Sequence, residues 1–493
     1  MNPELQKQLN AADSAMTANS EAQPPERDGR AMTSPENGKK HRATDWGKVA
    51  EEYQSMTGRK ILWRKEGFYE YDPRTGAYRL NTEKEIGARV GAFLRNGGSL
   101  EQVAYSLNAE RNTVGALRAT ENLSLVPPVF LDTGQDAAGW IAMRNGLLDV
   151  EAAARGGRVV LRDHTPNFFS TYALPYDWHP DAACPRFMRF IEEVQPEEDG
   201  RAMCQMLAGL LLVPGTSFQV FWILYGDGGC GKSTYMNIVR EMIGRDNVCR
   251  VPLADFTDKF TVGLLTQKLA NLVDDSPTVD GYRNSMTGIE GILKEVTGGR
   301  ATMKLEPKGV DADTGRLVTA RCVFCQNPPL PPFTDRSEGL WRRLRIITFP
   351  KRFDGADGQN PRLAEEIIAE ELPGVFVWAV RGLGALRPLR QFPQGAAGAA
   401  IIAEHRATCD REKTFLEDRY EQRNDNFTSS GDVYRAYKEW CFAEGYQPKN
   451  SGNFKQEVQR VFPGVRAVKM RWRGLPPQWG FLNLSPLPQI DEL

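Results

Sequence analysis

A glycine-rich segment near the middle of the chain has the composition of a phosphate-binding loop. It follows an apolar run at 218–225 and precedes a helical pattern at 235–243. Successive backbone N–H groups can turn toward phosphate oxygens only where no Cβ obstructs them, which explains the glycines. Lys232 would supply a positive charge to those phosphates, and the Ser233 hydroxyl would ligate Mg²⁺. The predicted loop comprises Gly226, Asp227, Gly228, Gly229, Cys230, Gly231, Lys232, Ser233 and Thr234.

Two later apolar segments end in polar residues that could complete a nucleotide site. The run at 268–273 ends in Asp274 and Asp275, and the run at 317–325 leads to Asn327 before two prolines. Asp274 would hold the magnesium ion, and Asp275 would orient or activate the attacking water. Asn327 would sense the γ-phosphate from the tip of its strand. The alternatives are an acidic turn after a core strand and an Asn-Pro turn.

Paired arginines enter a later apolar strand. Arg342 and Arg343 precede the run at 344–350. A guanidinium that reaches a neighbouring subunit's γ-phosphate stabilises the charge of the transition state, so this role requires an oligomer. We expect Arg343 to be that arginine, with Arg342 as the second candidate. The alternative is a pair of surface arginines held in salt bridges.

Composition and cysteine usage place limits on the class of protein. The 493 residues are 41% hydrophobic and 25% charged, an ordinary globular balance, and the formal net charge of -1 neither supports nor excludes DNA binding. Cys322 and Cys325 could form half of a zinc site or a redox pair, but their apolar context favours a buried strand. No signal peptide or membrane-length apolar run is present in the sequence, so we expect a cytoplasmic protein without a membrane partner.

The pattern of elements divides the chain into six parts. The polar segment 1–44 is predicted to be a disordered tail, because it has too few apolar residues to offset the entropy of ordering. An N-terminal accessory domain is expected over 45–200, the ATPase domain over 201–387, and a linker rich in Pro, Gly and Ala over 388–410. A C-terminal domain over 411–485 and a tail over 486–493 follow.

The C-terminal part has the order of elements that a winged-helix domain needs. Helices are predicted over 412–422, 430–444 and 450–462, followed by strands over 465–472 and 478–484. Residues 449–473 contain seven basic residues and one acidic residue, with tryptophans nearby. Lys469, Arg471 and Arg473 are therefore candidates for contacts with the backbone of duplex DNA. A solvated basic surface is the alternative.

Taken in order, these segments resemble superfamily 3 helicases, in particular the phage, plasmid and poxvirus-type primase-helicase family. The resemblance includes the phosphate loop, the acid pair, the stretch at 293–304, Asn327 with its prolines, and the Trp-Arg-Arg at 341–343. It extends upstream through 145–149, 164–166 and 176–185, and downstream through 433–441 and 451–458. The implied fold class is α/β: a P-loop AAA+-like superfamily 3 helicase core with an N-terminal α+β accessory domain and a C-terminal winged-helix domain.

The resemblance also implies a function and partners. The expected activity is that of an ATP- and Mg²⁺-dependent DNA helicase, a hexameric ring that moves 3'-to-5' on single-stranded DNA. Lys304 and Lys308, in a hairpin before the sensing strand, would contact DNA in the pore, unless they are simply solvated. Further expected partners are forked DNA and a primase or origin-binding protein, in a phage, satellite or plasmid within a bacterial cell.

Two departures from the family pattern accompany the resemblance. Arg300 stands where the family usually has an acidic residue after the Gly-Gly pair, and only a low-complexity tail precedes the first folded segment. We therefore expect no primer synthesis by this chain. Two other functions stay open: an ATP-switched DNA-binding initiator without processive unwinding, and a small-molecule kinase that uses the same loop.

Overall fold

The computed structural model describes most of the chain after its N-terminal tail. The chain divides into two units, Met1–Asp45 and Trp46–Leu493, and nearly all described residues belong to the second. The predicted tail over 1–44 lies outside the described residues except for residue 44, as does the very end of the chain. The described residues are 44–98, 103–120, 122–157, 159–275, 286–299, 302–303, 316–335, 337–353, 360–444 and 447–488.

The first part of the second unit is a small α+β arrangement. A three-stranded antiparallel sheet of order β1-β2-β3 carries three helices, and a separate apolar core forms between them. Helix α2 begins at a capping box in which Thr82 and Glu85 satisfy each other's backbone N–H groups. The elements are α1 (Trp46–Thr57), β1 (Ile61–Arg64), β2 (Gly67–Asp72), β3 (Ala77–Asn81), α2 (Glu83–Arg95) and α3 (Leu107–Thr120).

The next segment joins this arrangement to the central domain. Its short strands pair as β4 with β7 and β5 with β6. Ile141, Leu148 and Phe187 belong to the same hydrophobic core as the central sheet, so the predicted boundary at 200 does not separate two cores. The elements are β4 (Val129–Phe130), β5 (Trp140–Met143), β6 (Gly146–Asp149), α4 (Val150–Ala154), β7 (Phe168–Phe169), α5 (Pro185–Val194) and α6 (Glu198–Leu210).

The central domain is built on a five-stranded parallel sheet of order β14-β8-β13-β10-β9. Its inner strands are continuous apolar runs because both sheet faces are covered, one by each of two hydrophobic cores. This is the predicted α/β class. The elements are β8 (Phe221–Tyr225), α7 (Lys232–Met242), β9 (Val248–Cys249), α8 (Lys259–Val262), β10 (Ala270–Val273), α9 (Met286–Val296), β11 (Thr302–Met303), β12 (Arg316–Leu317), β13 (Arg321–Gln326), α10 (Glu338–Trp341), β14 (Leu344–Thr348), α11 (Leu363–Glu370) and α12 (Leu372–Leu386).

The predicted linker over 388–410 is mostly helical, which corrects that expectation. Helix α13 (Ala396–Cys409) packs against β14, and a Cβ on Gly398 would lie 2.4 Å from the carbonyl oxygen of Ile346. The Gln394 side chain pairs with the backbone of Ile346 in both directions, at 3.1 and 3.0 Å. The alanines that suggested a linker have the highest helix propensity of all residues, and the contact with β14 stabilises the helix.

The C-terminal part contains three helices and a three-stranded antiparallel sheet of order β15-β17-β16 around its own core. The helix predicted over 412–422 ends at Arg419, and β15 was not predicted. That strand is polar along most of its length, so it lacks apolar alternation, and its pairing with β17 stabilises it. The elements are α14 (Arg411–Arg419), β15 (Tyr420–Ser429), α15 (Ser430–Ala443), α16 (Ser451–Val461), β16 (Arg466–Met470) and β17 (Gln478–Pro486).

Candidate nucleotide-binding site

The predicted phosphate loop lies where the carboxyl end of β8 meets the N-terminus of α7. Gly229 and Gly231 have φ values of +78° and +89°, in the left-handed region that favours glycine. A Cβ on Gly226 would lie 2.5 Å from the Phe349 carbonyl oxygen, and one on Gly231 would lie 2.6 Å from Val194. By contrast, among the described residues no neighbouring atom lies within 4 Å of a Cβ built on Gly228. Glycine is therefore required by the backbone conformation or by close packing at Gly226, Gly229 and Gly231, whereas Gly228 borders open space.

Lys232 is buried and holds the loop together from within. Its ammonium donates hydrogen bonds to the carbonyl oxygens of Gly226 and Asp227, at 2.7 and 2.8 Å. It also donates to the amide oxygen of Asn327 at 3.0 Å and contacts the sulfur of Cys230 at 3.2 Å. An ammonium has only three protons to donate, so binding a phosphate would require exchange of at least one of these partners.

One cavity of about 1520 Å³ opens at the carboxyl edge of the sheet. It brings together Lys232, Ser233, Asp274, Asp275 and Asn327, as predicted from their separate segments. The cavity is larger than most small-molecule sites, and the N-terminus of α7 contributes unpaired N–H groups to it. Its lining also includes Arg186, Arg189, Phe190, Glu193, Val194, Gly228, Gly229, Cys230, Gly231, Thr234, Cys325, Lys351, Arg352, Phe353, Asn360, Pro361, Leu363, Ala364 and Glu366.

These residues fit a magnesium nucleotide. Ser233 and Asp275 are exposed to the cavity, so a hydroxyl and a carboxylate are available as hard oxygen ligands. Gly228 leaves room beside the loop for a phosphate group. The observed donor set of glycine N–H groups, an ammonium, a hydroxyl and carboxylates is therefore suited to a phosphate-bound divalent cation.

Asp274 is less available than the sequence suggested. Arg240 of α7 donates to both of its carboxylate oxygens, at 2.6 and 2.5 Å, and Arg250 donates to Oδ2 at 2.7 Å. A carboxylate offers about four lone-pair directions, so three of them are already occupied. Asp274 could still offer one lone pair of Oδ1 to a metal ion, whereas its exposed neighbour Asp275 is less constrained.

Arg342 and Arg343 lie at the opposite edge of the sheet from the phosphate loop. The Arg343 carbonyl accepts a hydrogen bond from the N–H of Phe221, the first residue of β8, at 2.9 Å. The five residues of β8 thus separate them from the loop by about 16 Å, at about 3.3 Å per residue. Arg342 is exposed, whereas burial and the charge of Arg342 lower the pKa of Arg343 below its ordinary value.

The cysteine pair is structural. Cys322 and Cys325 are buried in β13, and burial raises the pKa of both thiols far above the ordinary value. They belong to different hydrophobic cores on the two faces of the sheet, as the alternation of a strand requires. They therefore cannot share a metal ion, which excludes the alternative of a half zinc site.

The predicted DNA contacts fall into two groups. Lys304 and Lys308 lie outside the described residues; the short strands on either side of them, β11 and β12, pair antiparallel. Lys469, at the end of β16, and Arg471 and Arg473, which follow it, are exposed. Trp479 beside them is 54% exposed.

Two of the basic residues counted in the C-terminal stretch are neutralised. Lys449 pairs with Glu412 and Glu457 at 3.3 and 2.6 Å, and Arg460 pairs with Asp410 and Glu457 at 2.6 Å each. Of the five basic residues that remain, three, Lys469, Arg471 and Arg473, lie at the turn between β16 and β17.

Comparisons with known proteins agree with this architecture. Three family models match in order: "D5 N terminal like" over residues 56–196, a family of unknown function (DUF5906) over 224–343, and "Poxvirus D5 protein-like" over 413–474. A protein of Acanthamoeba polyphaga mimivirus that is provisionally named a helicase is 24% identical over 415 residues. The chain is similar to D5-type primase-helicases over these segments.

The relatives differ in how much of this chain they match. The mimivirus alignment covers 74% of this chain and 39% of the relative. The antimetabolite synthetase AmbE of Pseudomonas aeruginosa is 31% identical over 146 residues, which cover 24% of this chain and 7% of that protein. The chain thus spans well under half the length of each. One relative is from a giant virus, so the comparisons do not support the expected bacterial host.

A solved structure has the same overall fold. The apo C-terminal region (305–718) of NrS-1 superimposes with a TM-score of 0.53 at 10% identity, covering 88% of this chain and 99% of that one. A second apo form of the same region has a TM-score of 0.50. The similarity supports the α/β fold of the region around the parallel sheet. Among the described residues, no helix is both long and apolar enough to cross a membrane.

Several residues of the site were not predicted from the sequence. Arg240 and Arg250 bind Asp274, and α5 forms a wall of the cavity although it was assigned to the accessory domain. Lys351, Arg352 and Phe353 also line the cavity. Their position directly after β14 was a usable signal, because the carboxyl ends of parallel strands share one edge of the sheet. The contacts of Arg240 and α5 depend on tertiary packing and have no such signal.

Proposed function

We propose that the protein is an ATP-dependent DNA helicase that works as a ring of identical subunits, with six as the expected number. The similarity to D5-type proteins and to the provisionally named helicase supports DNA unwinding as the activity. The cavity around the phosphate loop supports ATP with Mg²⁺ as the fuel. Hydrolysis of ATP at each subunit interface would move single-stranded DNA through the centre of the ring.

Each residue of the loop cavity has a proposed role. The N–H groups of 228–234 and the Lys232 ammonium hold the phosphates, and Ser233 and Asp274 hold Mg²⁺, which neutralises charge on the phosphate oxygens. Asp275 positions the attacking water and accepts its proton. Asn327 reports the γ-phosphate to the loop through its hydrogen bond with Lys232.

The position of the paired arginines supports the proposed ring of subunits. Within one subunit, Arg343 lies at the amino edge of the sheet and the phosphate loop lies at the carboxyl edge. Arg343 is therefore a poor candidate for a contact with its own subunit's nucleotide. An arginine at that edge suits a site in which the next subunit supplies the loop, with Arg342 as the second candidate.

The proposed DNA contacts lie in two places. Lys304 and Lys308 would follow the phosphates of single-stranded DNA in the pore. The three helices and the sheet of 411–485 would form a winged-helix domain, in which Lys469, Arg471 and Arg473 contact duplex DNA at a fork. The division into an accessory domain over 45–200 and an ATPase domain over 201–387 is part of the same proposal.

Subunit complementation tests the interface site. Lys232→Ala and Arg343→Ala are each expected to abolish ATP hydrolysis. When the two variants are mixed, some interfaces combine an intact loop with an intact arginine, so activity returns. A dilute Arg343→Ala variant with full activity, or an inactive mixture, would contradict the proposal; Arg342→Ala tests the second candidate in the same way.

An ATP-switched initiator is the second candidate function. The exposed basic turn between β16 and β17 favours it, because duplex binding alone would suit a protein that assembles at an origin. Strand displacement on a forked DNA, with Asp275→Asn as the inactive control, separates the two. Unwinding with ATP supports the helicase, and ATP-dependent assembly without unwinding supports the initiator.

The proposed biological setting is the replication of a mobile genetic element or a virus. A helicase of this kind would replicate a phage, satellite, plasmid or virus, and would move 3'-to-5' along the strand that it encircles. A primase or an origin-binding protein would be its partner. Forked substrates with a single 3' or 5' tail distinguish the two polarities directly.

A further inference from the structure

The cavity beside the phosphate loop has a second half that phosphate chemistry does not use. Asn327 and Asp275 follow β13 and β10, which lie on one side of β8, whereas β14 lies on the other side. On the β14 side the cavity continues along α5, residues 351–353 and the start of α11. Its lining there combines the apolar residues Phe190, Val194, Phe353, Pro361, Leu363 and Ala364 with the polar residues Arg186, Arg189, Glu193, Lys351, Arg352, Asn360 and Glu366.

Helix α5 has a fixed position relative to the phosphate loop. The carboxylate of Glu371 accepts hydrogen bonds from the first free N–H groups of α5, those of Arg186 and Phe187, at 3.1 and 3.0 Å. At the other end of the helix, Val194 packs directly against Gly231 of the loop. Side chains on this face of α5 therefore keep a constant distance from a nucleotide in the loop.

The segment after β14 is hydrogen-bonded to the loop itself. The Phe353 N–H donates to the Gly229 carbonyl oxygen at 3.1 Å, and the Phe349 N–H donates to Tyr225 at 2.7 Å. The Phe353 ring is half-buried, and the Lys351 ammonium lies 4.9 Å from its centre. An aromatic ring is thus held next to the loop, on the side away from the proposed γ-phosphate position.

We propose that this half of the cavity is the nucleoside pocket, in which the Phe353 ring packs against the base and Arg189 donates hydrogen bonds to the sugar or the base edge. The inference rests on the proposed ATP site and adds the groups that recognise its nucleoside. Arg189 is exposed, and within the described part of the chain its guanidinium has no hydrogen-bond or ion-pair partner. Its helical neighbour Arg186, by contrast, is paired with Glu370.

Calorimetric binding to the full chain tests the pocket with three probes: a non-hydrolysable ATP analogue, ADP, and inorganic tripolyphosphate, each with Mg²⁺. Tripolyphosphate has no nucleoside. Phe353→Ala is expected to lower the affinity for the ATP analogue and for ADP by about tenfold each. Its affinity for tripolyphosphate should stay within about twofold of the wild-type value. Arg189→Ala is expected to follow the same pattern. Lys232→Ala should lower the affinity for all three probes, because it removes an ammonium that binds the phosphates.

Matched controls separate a local effect from a loss of folding. Phe442→Ala removes an exposed phenylalanine from the C-terminal part and should change none of the three affinities. Phe353→Leu keeps apolar volume without the ring, so it serves if the alanine variant unfolds. Equal weakening of tripolyphosphate, or unchanged nucleotide affinity in Phe353→Ala and Arg189→Ala, overturns the nucleoside pocket. Wild-type protein that binds none of the probes would instead reject the proposed ATP site.

Discussion

Lys232 and Asn327 are joined by a hydrogen bond of 3.0 Å, although 95 positions separate them in the chain. The bond links the phosphate loop after β8 to the tip of β13. Because Lys232 also binds two loop carbonyls, a phosphate that attracts its ammonium changes the environment of Asn327 at the same time. The pair therefore connects the phosphate loop directly to the carboxyl end of β13.

Replacement of Asn327 should impair hydrolysis more than binding. In Asn327→Ala, Lys232 keeps its carbonyl partners, so we expect ADP affinity to stay within about twofold. The rate of ATP hydrolysis should fall by about tenfold to a hundredfold, because a polar group beside the γ-phosphate is lost. Steady-state kinetics and ADP calorimetry measure the two effects. Asn424→Ala, which removes an exposed amide elsewhere, is the control, and equal losses in both measurements would argue against a sensing role.

The adjacent carboxylates Asp274 and Asp275 should respond differently to neutralisation. Asp274→Asn leaves the partly buried Arg240 and the more exposed Arg250 without their ion pair, so the free energy of unfolding should fall by about 1–2 kcal/mol. Asp275→Asn should change it by less than about 0.5 kcal/mol, because that side chain is exposed. Urea unfolding measures both.

The Asp275→Asn variant should also have a much lower rate of ATP hydrolysis. Asp275→Asn should bind ATP but hydrolyse it at least about a hundredfold more slowly, since no carboxylate accepts the proton of the water. Full turnover by this folded variant would remove Asp275 from the proposed mechanism.

Alanine substitutions at two glycines of the loop should have different effects on protein stability and on nucleotide affinity. Gly231→Ala places a Cβ at a positive φ and 2.6 Å from Val194, so it should destabilise the folded chain by about 1–3 kcal/mol. The new methyl group of Gly228→Ala meets no atom of the described residues within 4 Å, so the stability of this variant should be unchanged. Its new methyl group would enter the cavity, however, and nucleotide affinity should fall. Thermal unfolding with and without nucleotide distinguishes the two, and a destabilised Gly228→Ala would contradict the assignment of open space.

The sequence predicted those site residues that lie in one contiguous segment or directly follow an apolar strand. It did not predict residues that meet only after the chain has folded. The loop was predictable because β8, the glycines and α7 are contiguous, and Asp274, Asp275 and Asn327 were predictable because each follows an apolar strand. The partners of Asp274 were not, since Arg240 and Arg250 meet it only after the sheet has formed. The wall formed by α5 likewise depends on packing between Val194 and Gly231.

The limits of the fold prediction have a similar cause. Composition suggested a linker where α13 packs on β14, because proline and glycine accompany the alanines there and the contact with β14 is not visible in the sequence. The strand β15 is polar, and only its pairing with β17 specifies it. In contrast, α15 and α16 were predicted within a few residues, because each has its own apolar face.

Acidification should weaken the packing beside the paired arginines. His405 of α13 packs against the rings of Trp341 and Phe333, and burial lowers its pKa below the ordinary 6.5. The unfolded state therefore binds the proton more readily, so this contribution to stability is complete above about pH 7.5 and is lost as the pH falls through 6.5. Urea unfolding at pH 7.5 and 5.5 should give a smaller loss for His405→Gln than for the wild type. Equal losses would contradict this assignment.

The basic turn between β16 and β17 should bind duplex DNA through its charge. Lys469, Arg471 and Arg473 are exposed, and Trp479 beside them presents an aromatic surface on which the Lys455 ammonium lies at 4.6 Å. A variant with all three basic residues changed to alanine should lose about tenfold or more in duplex affinity. The slope of log affinity against log salt should become shallower by about 2.7, at about 0.9 per phosphate contact. Fluorescence anisotropy over a salt series measures both quantities.

A charge-matched control decides whether this turn is a specific surface. Changing the exposed Lys84, Arg155 and Arg390 to alanine removes the same charge from other parts of the chain. If long-range attraction dominated, both triple variants would weaken duplex binding equally, because the net charge changes by the same amount. If the turn contacts the DNA backbone, only the first variant changes the salt slope, and basal ATP hydrolysis without DNA stays the same in both. An unchanged slope in the first variant would locate duplex binding elsewhere on the protein.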